Sequence, residues 1–135
     1  MMTIFDAPDR ESSCVRRSRT NTSLQALGLL NETQRIEMSR MLAQRLLTQA
    51  ETDSARLSIL FNLLACRNPT ENETAVCLGL LQAMKERYAN SEKDAVALLS
   101  LGDASRNDKL NPAEHAAWTQ VAVTVLASDI AILLY

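Results

Sequence analysis

The sequence predicts an all-α domain: an irregular bundle of five to six helices, entered by an extended charged N-terminal strap. Three observations carry this. Turn-formers and aromatics are scarce, with three Gly, three Pro, two Phe, two Tyr and one Trp in 135 residues. Leu and Ala supply most of the 47% hydrophobic content, and both are strong helix-formers. Apolar residues then recur every 3.6 residues after each of a series of helix-start signals. The length suits one domain with a core of its own. Residues 1–22 read as the strap and 23–135 as the bundle.

The strap shows neither helical nor strand period up to Arg19. A first helix begins near Leu24, capped by Thr22 or Ser23, with Leu24, Leu27 and Leu30 as its apolar stripe. Asn31 ends it or bends it into a second helix, Thr33 to Gln49. Ile36, Arg40, Ala43 and Leu47 line one side of that helix, and Met38, Met41, Leu42 and Leu46 widen the band. Asp53 caps a third helix, in which Leu57, Leu60, Phe61 and Leu64 recur before Pro69 stops it. Thr70-Glu71-Asn72-Glu73 is a capping box, in which Thr70 and Glu73 satisfy each other's backbone N–H groups. The fourth helix carries Val76, Leu80, Ala83, Met84 and Tyr88. A short fifth helix follows Ser91 and ends at Gly102. Asn111-Pro112-Ala113-Glu114 starts the last helix, with Asn as cap and Pro at the first helical position. Trp118, Val121, Ala122, Val125, Leu126, Ile132 and Leu133 form its buried stripe.

The net charge of −2 gives no global signal for nucleic acid or membrane. The charge is uneven, however. Residues 1–70 hold nine Arg against seven acids, a net +2, and residues 71–135 hold five Lys/Arg against nine acids, a net −4. Every basic residue of the first part is Arg, which suits fixed bidentate pairing. The three cysteines, Cys14, Cys66 and Cys77, show no CxxC or CxxCH spacing, so neither zinc nor covalent haem is encoded. Cys66 and Cys77 read as small buried hydrophobes. Cys14, beside Arg16 and Arg17, reads as structural, with a lowered thiol pKa as the alternative. His115 is the sole histidine. It has no ligand partner at helical spacing and reads as a partly solvated residue near a helix start. No cofactor or metal is expected. No signal peptide opens the chain, and the apolar run from Val121 to Tyr135 is too short and interrupted to span a membrane.

The concentrated charge is the cluster Arg16, Arg17 and Arg19. As a nucleic-acid arm it lacks stacking aromatics, and Asp6, Asp9 and Glu11 just upstream cancel its attraction for phosphate. The structural reading is a folded strap whose arginines meet carboxylates and helix C-terminal carbonyls. Asp129 is the one carboxylate that a 100° wheel sends inward, in the stripe shared with His115. Two resolutions are open. Ser128 or Asp129 caps a fresh last turn after a break at Ala127, or Asp129 pairs with an arginine of the strap.

The stretch from Phe5 to Asn31 resembles the signature of a C-terminal domain of unknown function (domain of unknown function 1553) of large secreted planctomycete proteins. Phe5, Asp6, Pro8, Cys14, Arg17, Ser18, Thr20, Leu24, Gln25, Ala26, Leu27, Leu29, Leu30 and Asn31 match the pattern. Ser23 stands where the family usually has Pro, a change that keeps a helix start. The resemblance implies a fragment of a longer protein, periplasmic or secreted when whole, with a cytochrome-c-like domain upstream. It supplies no catalytic residues to carry across.

Two functions follow as expectations. The first is a non-catalytic structural or interaction module that self-associates or docks on the upstream region of a parent protein. Its exposed apolar patches would lie at Leu24–Leu30 and Ile132–Tyr135. The alternative is an Arg-rich wall of Asp9, Cys14, Arg16, Arg17 and Arg19, completing an active site for a glycan or anionic substrate with that upstream region.

Overall fold

The computed structural model describes residues 22–132, and among these every regular element is a helix. They form the expected irregular all-α bundle. Seven helices are present rather than five to six, because the closing helix is broken in two.

Helix α1, Ser23–Asn31, starts on a capping box between Thr22 and Gln25: the Thr22 hydroxyl accepts from the Gln25 N–H, and the Gln25 side chain accepts from the Thr22 N–H. One extended residue, Glu32, turns the chain into α2, Thr33–Gln49. Helix α3, Asp53–Ala65, is capped by Thr52 and not by Asp53, which occupies the first helical position. There the Asp53 carboxylate still faces the positive end of the helix dipole. Helix α4, Glu71–Asn90, opens on the expected Thr70–Glu73 capping box. Helix α5, Glu92–Leu99, ends three residues before Gly102, which takes φ +92 in the following loop.

Helix α6, Pro112–Ala127, is the axis of the molecule. Asn111 caps it by accepting from the N–H groups of Ala113 and Glu114. Between its ends, Ala116, Ala117, Trp118, Val121, Ala122, Val123 and Val125 are buried. A helix apolar around its whole circumference belongs inside, and α6 packs against each of the six other helices. The surrounding helices send in Ala43 and Leu46 from α2, Leu57, Leu60 and Phe61 from α3, Cys77, Leu81 and Tyr88 from α4, and Ala95 and Leu99 from α5. Each large side chain of this set contributes ~1.5–3 kcal/mol by leaving water.

Two faces differ from expectation, and the closing helix breaks after Ala127, one of the two open resolutions. Met38 and Met41 are exposed; Arg40 points inward on its expected side, joined by Ser39. On α4 the inward line is Cys77, Leu81 and Tyr88, while Val76 is 71% exposed. At the C-terminal end, Ser128 leaves helical geometry, with φ −80 and ψ 160, and α7, Asp129–Ile132, begins afresh. That break takes Asp129 off the buried stripe and leaves it exposed. The inward placement assumed one continuous wheel, which ends at Ala127.

Candidate functional site

The strap candidates Asp6, Asp9, Cys14, Arg16, Arg17 and Arg19 lie outside the described residues. Among the described residues, Arg35, Arg40, Arg56 and Arg67 meet carboxylates or carbonyls where helices join. Arg56 on α3 is nearly buried. Its Nε donates to the Ala50 carbonyl at 3.0 Å, and its Nη1 reaches Asp53 at 3.0 Å and Glu114 at 2.8 Å. Its guanidinium lies 5.9 Å from the Trp118 ring centroid, within cation–π range. Lys85 of α4 meets the other oxygen of Asp53 at 2.9 Å, so the Asp53 carboxylate ties α3 to α4 and Arg56 carries the link on to Glu114 of α6. Arg35 of α2 donates to the Leu126 carbonyl at 2.6 Å, next to the end of α6, where carbonyls lack helical partners.

Arg67 grips Glu73 with two nitrogens, at 2.8 and 2.6 Å. These bonds, and then the Thr70 N–H, lower the Glu73 carboxyl pKa to about 2. The pair fastens the α3–α4 turn to the first turn of α4.

A second junction joins α2, α6 and the α5–α6 loop. Glu37 Oε1 accepts from the N–H groups of Asp103 at 3.0 Å and Ala104 at 2.6 Å. The Glu37 side chain occupies the space that a Cβ on Gly102 would need, so the positive φ favours glycine there and a Cβ would also displace the Glu37 carboxylate. Arg40 is wholly buried; its Nη2 donates to the Ala104 carbonyl at 2.6 Å and lies 3.8 Å from Glu37. His115 is buried rather than partly solvated, with Nε2 3.0 Å from the Arg40 carbonyl oxygen. A carbonyl can only accept, so Nε2 carries the proton. Burial first, and the positive charges of Arg40 and Arg106 after it, hold the imidazole pKa below its ordinary value, against the raising effect of the Arg40 carbonyl.

The cysteines divide. Cys77 is buried as expected, and burial pushes its thiol pKa up. Cys66 is exposed, because it ends α3 in the left-handed region at φ 54. Among the described residues no three His, Cys, Asp or Glu side chains gather as a metal cage, and no helix is long and apolar enough to cross a membrane.

The interaction candidate is α1. Its polar Gln25 is buried, whereas Leu24 is 58% and Leu27 56% exposed, with Leu30 exposed on the same stripe. The helix presents its apolar side outward, and Met38 and Met41 add further exposed apolar surface on the next helix.

No curated protein and no solved structure matches the chain. A family model does, over residues 1–81, which takes in the strap signature, α1, α2, α3 and the first half of α4. The chain belongs to the family described as "Protein of unknown function (DUF1553)".

Proposed function

We propose that this chain is a helical interaction module, without catalysis of its own, that pairs with a second copy through the leucine stripe of α1. The observation that carries the reading is the inverted polarity of α1: Gln25 faces in, and Leu24 and Leu27 are each more than half exposed. Exposed contiguous apolar surface of this kind marks interfaces. Two of the described groups that could do chemistry are already committed. His115 holds a backbone carbonyl, and the Cys77 thiol is buried with a raised pKa. The Phe5–Asn31 signature supports a parent that is a large secreted planctomycete protein with a cytochrome-c-like domain upstream, and that region is the other partner this face suits.

Light scattering on the parent chain and on the Leu24→Glu/Leu27→Glu double variant tests the pairing. The parent should run at the dimer mass and the variant at the monomer mass, with the melting temperature of the isolated fold little changed. A parent that stays monomeric at high concentration refutes self-association. Capture of the upstream region by the parent, and not by the variant, would then assign the face to that region.

A further inference from the structure

Buried charged donors without acceptors are costly, and this bundle gathers three of them at one junction. Arg40 uses Nη2 on the Ala104 carbonyl, but its Nε and Nη1 are buried with no partner. Arg106, two residues beyond Ala104 in the same loop, uses Nε on Asp108 at 2.6 Å, and its Nη1 is likewise buried without a partner. His115 sits against the Arg40 backbone, and both guanidinium charges act on its ring. A charged donor left unsatisfied out of water costs more than the hydrogen bond it could make contributes.

We propose that the junction of α2, α6 and the α5–α6 loop binds a small oxyanion, held by the free Nη1 groups of Arg40 and Arg106. The local carboxylates do not meet this demand. Glu37 Oε1 is already taken by two backbone N–H groups and stands 3.8 Å from Arg40. Asp108 is 78% exposed and engages Arg106 through Nε only. An oxyanion lying between the two guanidiniums would form charge-assisted bonds, stronger than those a water would form. Gln44 lies one turn along α2 from Arg40, and its Oε1 is also buried without a partner. With its amide turned about, it offers an N–H to the same ligand. Arg106, at 34% exposure, is the side from which the ion enters.

His115 is the chain's sole histidine, so one imidazole resonance reports on the junction. The experiment titrates inorganic phosphate, sulfate and acetate into the full chain and follows that resonance and the melting temperature, with chloride at matched ionic strength as the control. A saturable shift with at least one oxyanion, accompanied by a rise in melting temperature, is the expected result. Response to phosphate and sulfate alone assigns a phosphate-type ligand, and response to acetate assigns a carboxylate. Arg106→Gln should weaken binding by at least about tenfold, and Arg106→Lys should recover only part of it, since lysine lacks the planar donors. Circular dichroism of both variants establishes that they fold. A chloride response equal to that of the oxyanions, no saturation with any of them, or undiminished binding in Arg106→Gln overturns the proposal.

Discussion

Arg56→Met removes one guanidinium and keeps most of the aliphatic stem, so its effect isolates the polar contacts that hold α3 to α6. The Asp53 and Glu114 side chains are 35% and 38% exposed. Their charges return to water when the arginine goes, and each ion pair contributes only ~0.2–1 kcal/mol. The Ala50 carbonyl loses a charged donor in a part-buried setting, worth ~1.5–3 kcal/mol. The 5.9 Å stack on Trp118 adds ~0.5–1 kcal/mol. Methionine regains some of this through apolar burial, which leaves a loss of about 2–4 kcal/mol. For a domain of this size the loss lowers the melting temperature by roughly 10 °C. Urea unfolding read by circular dichroism is the primary assay. Emission of Trp118, the chain's one tryptophan, is a second probe whose native baseline should itself shift in the variant. Arg56→Lys keeps the charge but not the fork, and should recover less than half of the loss. Stability of Arg56→Met within about 0.5 kcal/mol of the parent would refute the reasoning, because the network would then be a surface decoration.

Two further outcomes are expected. Gly102→Ala meets both a positive φ of 92 and the Glu37 side chain; it should cost about 1–3 kcal/mol in urea unfolding, and Glu37→Ala in the same chain should relieve the clash but not the φ strain. The His115 pKa is depressed by burial, so the unfolded chain takes up a proton first as pH falls. Stability contributed by the neutral ring is complete above the ordinary histidine value of ~6.5 and declines as pH drops from there toward the folded pKa, by at most ~1.4 kcal/mol per pH unit. In His115→Gln that part of the slope should vanish, and an unchanged slope would remove His115 from the account.

Two caps were legible in the sequence because each is satisfied within four residues: Thr70 with Glu73, and Asn111 ahead of Pro112. The Thr22 cap was one of two candidates, and the α3 cap fell on Thr52, one residue before the expected Asp53. The boundaries of α2 match the expected Thr33 and Gln49, although no side chain caps its start. Which face a helix buries was harder wherever apolar residues surround it. Helix α4 offers Val76, Leu80 and Met84 on one phase and Cys77, Leu81 and Tyr88 on another, and only packing against α6 selects the second. The arginine junctions were least legible. Glu37 meets Ala104 across 67 positions and Arg56 meets Glu114 across 58, and no spacing rule reaches that far. One signal was present nonetheless. Arg40 shares the helical phase of Ala43 and lies on the side that the periodicity placed toward the core; Arg56 shares the phase of Leu60, the signal by which its inward place could have been found. A charged residue on an apolar stripe requires a partner from another element. For Arg40 and Arg56 that inference holds, because their helices run unbroken through the position. For Asp129 it fails, because Ser128 leaves helical geometry one residue earlier and resets the phase. The continuity of the helix therefore decides whether an inward charge is real, and α6 is continuous only as far as Ala127. The same logic isolates α1. Its phase is secure over nine residues, yet Leu24, Leu27 and Leu30 face out, which is what supports the proposed pairing. That outward face is the feature on which the proposed interaction rests.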